Sequence, residues 1–275
     1  MLFRSVWEVV EKLVYHLLFP ALLFASIVRS PLRPSDAVTL AGAGMAVCLA
    51  GMVLAACLQW YKGFDRRLLA SGAQTAFRFN SYIALALAER MAGPTGVALI
   101  AVLIAVCVPL CNVGAVWFLA RHGGHNTWKE MARNPLIIST LSALIVKILG
   151  IPLPEWLVGT VGRIGQAALP MGLLAVGAGL RLTGLTVAPT LTTAFLVIRH
   201  GLLPLLAQVL GIVLQLPSAE KAILLAFGAL PTASSAYVLA VRMGGHGPFV
   251  AGLITLSTLL GMVTVPFWLQ ALRWF

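Results

Sequence analysis

Residues 74–93 read QTAFRFNSYIALALAERMAG, and residues 229–245 read ALPTASSAYVLAVRMGG. The two stretches end alike, and Leu87 and Leu239 are equivalent at an offset of 152 residues (239 − 87). A second pair of segments, LVYHLLFPALLFA around Pro20 and IGQAALPMGLLAV around Pro170, has an offset of 150 (170 − 20). Two pairs at nearly one spacing predict an internal repeat.

Composition indicates a lipid environment. The 275 residues are 60% hydrophobic and 10% charged, with a mean hydropathy of +0.97. Soluble domains have about 25% charged residues, so a soluble globular enzyme is excluded. The net charge of +11 comes from single basic residues between apolar runs, which does not indicate nucleic-acid binding. The four cysteines lie in apolar runs without CxxC spacing, so we expect neither a disulfide nor a metal or other cofactor.

Apolar runs of about 20 residues predict nine membrane-spanning helices, and hence an all-α polytopic membrane protein. The predicted spans are residues 6–28, 37–60, 68–88, 97–120, 135–151, 157–180, 188–214, 219–241 and 249–272. The segments YKGFDRR (61–67) and ARHGGHNTWKEMAR (120–133) fall on one side, which the positive-inside rule assigns to the cytoplasm.

The repeat offset places the first four spans over the sixth to ninth. Equivalent spans are five apart, an odd number, so the two copies cross the membrane in opposite senses, as in many secondary transporters. We expect a first inverted repeat in residues 1–134 and a second in residues 135–275, within one integral membrane unit. The fifth span has no partner at the front, so the first repeat is expected to lack its first helix.

Polar and helix-breaking residues interrupt the third and eighth spans at matching positions. Arg78 and Asn80 interrupt the third, and Pro231 interrupts the eighth. Matched interruptions of this kind indicate a transporter binding site, although a lone proline is more often a simple kink. Arg78 and Arg199 lie deep in predicted spans, where an arginine requires a partner or a polar cavity. All carboxylates map to helix ends or loops, which favours an anion as the ligand.

The candidate substrate-binding residues are Arg78, Asn80, Ser81, Asn112, Arg199, Pro231, Thr232, Ser234 and Ser235. Other buried polar residues, including His200, Ser139, Thr255, Ser257 and Thr258, are expected to form hydrogen bonds between helices.

Several motifs resemble the auxin efflux carrier family of bacterial membrane transporters, which also includes plant auxin exporters and carriers assigned to malonate and malate. They are QTAFRFNSYIALALAERMAGPTG, VPLCNV, RNPLIIS, AALPMGLLAVGAGL and ALPTASSAYVLAVRMGG. The resemblance, closest to the bacterial malonate and organic-anion branch, implies ten helices in two inverted five-helix repeats with both termini outside. It also implies two broken helices that cross at the substrate site, with Asn80 on one and Pro231 on the other. Aligned with the family in this way, the chain is expected to lack the first family helix.

These observations together predict a secondary transporter of small organic anions, mono- or dicarboxylates, that works by alternating access in the plasma (inner) membrane. The alternative is a membrane receptor or structural subunit that binds an organic anion without moving it. An enzyme is not expected, because spans without acidic residues and short loops offer little catalytic chemistry. The expected partners are the substrate and the lipid bilayer, and a homodimer is left open.

Overall fold

A computed structural model describes residues 4–29, 34–61, 63–120, 135–168, 170, 171, 174 and 187–271, and these residues are almost entirely helical. The α-helices are α1 Arg4–Leu13, α2 Phe19–Arg29, α3 Pro34–Cys57, α4 Arg66–Phe77, α5 Ser81–Ala120, α6 Pro135–Ile148, α7 Glu155–Gln166, α8 Pro189–Val197, α9 Leu203–Val213, α10 Ser218–Ala229, α11 Ser235–Arg242 and α12 Gly247–Ala271. A π-helical turn, Val14–Leu18, joins α1 to α2, and a second, Ile198–Leu202, joins α8 to α9.

Four continuous helical segments of the described chain are long and apolar enough to cross a membrane. They are Val38–Trp60, Ser81–Leu119, Pro189–Val213 and Gly247–Gln270. Three of them correspond to the predicted second, seventh and ninth spans, and Ser81–Leu119 covers the predicted fourth span together with the second part of the third. The predicted sixth span begins as α7, but residues 169, 172, 173 and 175–180 of it lie outside the described residues, as do residues 121–133 of the basic segment.

The predicted third span is two helices rather than one. Helix α4 ends at Phe77, Arg78 has extended backbone (φ −76°, ψ 136°), and α5 begins at Ser81. The side chain of Asp65 accepts hydrogen bonds from the amides of Arg67 and Leu68, which caps the start of α4. The backbone then kinks at Ala92 and Gly93, so residues 81–91 form a half-helix distinct from the longer segment that follows.

The predicted eighth span is divided in the same way. Helix α10 ends at Ala229, Leu230 is extended (ψ 145°), and α11 begins at Ser235. The ring of Pro231 explains the end of α10, because a proline disfavours helical backbone in the residue before it. Both second half-helices stop near a glycine with positive φ, Gly93 at 53° and Gly244 at 72°, in the repeated RMAG and RMGG sequences.

The two interruptions cross and pair with each other. Phe79 and Thr232 form an isolated antiparallel bridge. The amide of Asn80 donates to the carbonyl of Pro231 at 2.9 Å, and the amide of Ala233 donates to the carbonyl of Arg78 at 3.4 Å. These bonds satisfy backbone groups that the breaks release from helical pairing, which hydrocarbon would leave unpaired. We call residues 78–80 and 230–234 together the crossover.

Small residues let the surrounding helices pack closely on the crossover. A side chain at Gly51 would meet the Cβ of Phe77 at 2.9 Å, and one at Gly72 would meet the ring of Phe195 at 2.5 Å. The rings of Phe79 and Phe227 stack edge to face with centroids 4.6 Å apart. The crossover is therefore held inside a dense apolar shell.

Helices α6 and α7 pack against α2, away from the crossover. The hydroxyl of Ser139 donates to the carbonyl of Pro20 at 2.5 Å, and the ammonium of Lys147 donates to the carbonyl of Ile27 at 3.2 Å. The contact of Ser139 confirms its predicted role between helices. The predicted boundary between repeats, at residues 134 and 135, falls where the described residues resume, and the division into two inverted copies stays a prediction.

Candidate functional site

Arg78 lies where α4 ends and points its guanidinium at three neutral side chains. Nη1 donates to Oε1 of Gln74 at 2.9 Å, and Nη2 donates to Oδ1 of Asn112 at 3.2 Å and to Oγ of Ser235 at 3.0 Å. The residue is 9% exposed. These three partners come from α4, α5 and α11, so a single cation links both sides of the crossover.

No carboxylate pairs with Arg78 among the residues that the structure describes. Asp65 caps the far end of α4, Glu89 and Glu155 are exposed, and Glu220 lies in the first turn of α10. A buried cation with only neutral acceptors is poorly compensated, because its desolvation is offset by dipoles alone. The arrangement therefore has capacity for an anion.

Gln74 is a site residue that the sequence analysis missed. It is completely buried, and its Nε2 donates to the carbonyl of Ala236 at 3.1 Å and to that of Ser71 at 3.3 Å, while its Oε1 accepts from Arg78. Gln74 thus fixes Arg78 and ties α4 to the first turn of α11. The spacing of four residues before Arg78 was the available signal, since side chains four apart share a helix face.

Asn80 stabilises the crossover through both its backbone and its side chain. Its Oδ1 accepts from the amides of Tyr82 at 3.0 Å and Ile83 at 3.2 Å, which caps the start of α5. Its Nδ2 lies 3.5 Å from Oγ of Ser234, a long hydrogen bond. Ser81, beside it, is half-buried.

The N-terminus of α11 differs, because Ser234 occupies the capping position without a side-chain capping bond. Ser235, the first residue of the helix, is exposed and accepts from Arg78. The amides of Ala236 and Tyr237 donate to the carbonyls of Ala233 and Ser234 instead, and the partial positive charge of this N-terminus, which no side chain caps, lies next to the guanidinium. The structure brings Arg78, Asn112, Ser234 and Ser235 together around one point.

Thr232 links the crossover to α4 and to α12. Its hydroxyl donates to the carbonyl of Thr75 at 2.6 Å, and its amide donates to Oγ of Ser257 at 3.0 Å. Ser257 in turn lies 2.8 Å from Nε2 of His200. The predicted interhelical role of His200 and Ser257 is confirmed, whereas the hydroxyl of Thr258 donates to the carbonyl of Ile254 in its own helix.

Arg199 is the second buried arginine, 1% exposed, and it contacts backbone rather than side chains. Its Nε donates to the carbonyl of Leu230 at 2.5 Å and its Nη2 to that of Phe227 at 3.2 Å. These carbonyls lie at the end of α10, where the break leaves that of Leu230 without a helical partner and that of Phe227 with only the amide of Leu230, at 3.4 Å. Arg199 therefore caps a half-helix, a role that its position in the sequence did not reveal. Its predicted contact with substrate stays a prediction.

Two interrupted half-helix pairs that cross inside an apolar helical bundle define the class of protein: an integral membrane protein with a transporter fold. Comparison with protein families makes the assignment specific. A family described as membrane transport protein matches residues 2–269, and the chain belongs to that family. The resemblance to the auxin efflux carriers is thereby confirmed, while the bacterial branch and the absent first helix stay predictions. A search of curated proteins gives no match.

Proposed function

We propose that this membrane transport protein is a secondary transporter of small organic anions, and that the substrate carboxylate binds Arg78 at the crossover. The observation that supports this most directly is the buried guanidinium of Arg78, whose partners among the described residues are the neutral Gln74, Asn112 and Ser235. A carboxylate forms shorter and stronger bonds with a guanidinium than an amide or a hydroxyl does.

The surroundings of Arg78 favour an anion over a cation. The uncapped start of α11 adds a partial positive charge on the same side, and helix N-termini are common anion sites. Asn80 and Ser234 contribute an amide and a hydroxyl group beside it, Thr232 holds the crossover through Thr75 and Ser257, and Ser81 directly follows the crossover. No acidic side chain of the described chain contacts this point, which argues against a bound metal cation.

The mechanism that we propose begins with replacement of Asn112 and Ser235 by the substrate on Nη2. Losing Ser235 releases the bond that ties Arg78 to α11, while Gln74 continues to hold the guanidinium. Binding would then change the contacts between the half-helices on either side of the crossover. Alternating access, in which one helix bundle moves against the other around a fixed site, would follow from that change.

The proposal also covers the orientation of the chain in the membrane, its oligomeric state and the absence of an enzymatic role. The positive-inside rule places the segments 61–67 and 120–133 in the cytoplasm, which is the orientation expected in a plasma (inner) membrane. A homodimer remains a prediction. The family match favours transport over catalysis, and we propose that the chain is not an enzyme.

The test is accumulation of radiolabelled organic acids in proteoliposomes that contain the purified protein. We expect Arg78→Gln to abolish uptake while the protein still inserts and folds. Arg67→Gln is the matched control, because Arg67 lies on the same helix but is exposed and donates to the carbonyl of Gly244. Equal uptake by both variants would exclude Arg78 from the site.

The same vesicles distinguish transport from the alternative function, that of a receptor or structural subunit that binds an organic anion. Such a protein would bind the acid in a manner that depends on Arg78 and would show no accumulation inside the vesicles. Binding that is saturable, accompanied by time-dependent uptake, supports the transporter.

A further inference from the structure

The number of usable cations at the crossover limits the charge of the substrate. Arg78 and Arg199 are the buried arginines of the described chain, and no lysine is buried with them. The number of carboxylates whose charge the site can compensate therefore depends on how many of these two guanidinium groups can turn toward a ligand.

The guanidinium of Arg199 is engaged in hydrogen bonds within the protein. Two of its nitrogens bind the carbonyls of Leu230 and Phe227, which are themselves completely or almost completely buried. If the guanidinium turned to a substrate, the carbonyl of Leu230 would lose its partner in an apolar environment, and that of Phe227 would keep only a 3.4 Å bond from the amide of Leu230, a costly change. The negative end of the α10 dipole also compensates its charge where it stands.

His200, next to Arg199, does not supply a third cation. The hydroxyl of Thr264 donates its hydrogen to the carbonyl of Leu260, so it accepts from Nδ1 of His200 at 2.9 Å. Nε2 then accepts from the hydroxyl of Ser257, which accepts from the amide of Thr232. A neutral imidazole at His200 therefore satisfies every donor and acceptor in this series of hydrogen bonds.

Arg78 differs because its partners are side-chain oxygens that can rotate away. Asn112 is half-buried and Ser235 is exposed, so both can exchange the guanidinium for a ligand without leaving a buried backbone group unpaired. The start of α5 offers no further positive group, since Asn80 already occupies it as the cap.

We infer that the crossover compensates a single carboxylate, so that its substrates are monocarboxylates and dicarboxylates bind only when one of their two acids is protonated. This inference rests on the proposed function and narrows it. A second carboxylate on the same small molecule would find no second cation among the described residues. The N-terminus of α11 offers only about half a unit of positive charge, which does not offset the desolvation of a full negative charge.

The test uses pairs of ligands that have the same shape and differ by one charge: malonate and malonamate, succinate and succinamate, glutarate and glutaramate. Binding to the purified protein is measured by calorimetry at neutral pH and again at a pH that protonates one acid of the dicarboxylates. For at least one pair we expect the monoamide to bind about 100-fold or more tightly than the dianion at neutral pH, and acidification to reduce the difference.

A gain-of-function variant tests the charge argument directly. Ser235→Lys places a second cation next to Arg78, and we expect it to raise dicarboxylate binding relative to the monoamide at least tenfold. Ser235→Met, of similar length and neutral, is the control and should leave the ratio near that of the unmodified protein. An unchanged ratio in Ser235→Lys would overturn the inference.

The outcomes separate this inference from the function on which it rests. If dianions bind as well as monoamides or better, and Arg78→Gln abolishes their binding, the site is an anion site with a second compensating group, and the inference is wrong while the proposed function stands. If no member of any pair binds and no organic acid accumulates in vesicles, both are wrong.

Discussion

Gln74→Glu tests the electrostatic role of Arg78 with almost no change of shape. The substitution replaces Oε1, which lies 2.9 Å from Nη1 of Arg78, by a carboxylate oxygen at the same place. The protein then carries its own anion on the guanidinium that we assign to the substrate. We expect anion binding to be lost because the new carboxylate competes for the cation and repels the ligand.

The magnitude follows from the geometry. A substrate carboxylate on Nη2 would lie roughly 4 Å from the new one, and two unit charges at that distance interact by about 4 kcal/mol at an effective dielectric constant near 20. At about 1.4 kcal/mol per factor of ten, affinity should fall by between about 100- and 1,000-fold. The lost donation from Nε2 to the carbonyls of Ala236 and Ser71 should cost about 1–3 kcal/mol of stability. The new ion pair with Arg78 offsets part of that loss.

The assay combines ligand binding with thermal unfolding in the same detergent. Gln208→Glu is the matched control, since Gln208 is also buried but lies on α9 with its Oε1 unpaired among the described residues. Gln74→Met, which removes both functions of the amide without adding charge, should weaken binding about tenfold through poorer positioning of Arg78. If Gln74→Glu binds the anion within fivefold of the unmodified protein, Arg78 is not the cation that holds it.

Three further substitutions test how the crossover and its surroundings are held. Arg199→Leu should destabilise the protein by about 1–3 kcal/mol in thermal unfolding, because the buried carbonyl of Leu230 loses its donor and that of Phe227 keeps only the amide of Leu230, and an unchanged Tm would refute the capping role. Asn80→Ala should cost about 0.5–2 kcal/mol through loss of the α5 cap, and Asn80→Ser should recover most of it; equal losses would argue against capping. Gly165→Ala should cost about 1–3 kcal/mol, because the new methyl group would lie 2.5 Å from the backbone of Leu22, whereas Gly159→Ala, with its nearest atom at 3.8 Å, should be nearly neutral.

The π-helical turn at Ile198–Leu202 explains how one helix reaches two sides of the crossover. Within it, Arg199 extends to the end of α10, and His200 extends to Ser257 and Thr264 on α12. The carbonyl of His200 accepts from Nε1 of Trp268 at 2.8 Å, and Pro204, four residues later, has no N–H to donate to it. Such turns are rare within helices and frequently mark functional sites. This turn holds the end of α10 and binds α12, whereas Arg78 faces the proposed ligand.

Much of the fold could be predicted from the sequence because membrane solvent imposes strong local rules. Apolar runs of about 20 residues and the scarcity of charge indicated an all-α membrane protein, and the interruptions around Arg78 and Pro231 were visible as polar and helix-breaking residues. The repeated RMAG and RMGG sequences marked where both second half-helices end. These features are local, so neighbouring residues suffice to indicate them.

Only the tertiary structure assigned different roles to two arginines that look alike in the sequence. Arg78 and Arg199 are both isolated cations deep in apolar segments, and both were candidate ligands for the same anion. The direction of each guanidinium depends on residues far away in the chain: Arg78 meets Asn112 and Ser235, whereas Arg199 meets the carbonyls that the break after α10 exposes. Every buried polar group needs a hydrogen-bond partner, and packing in three dimensions decides which partner it finds. Sequence spacing does not encode that choice.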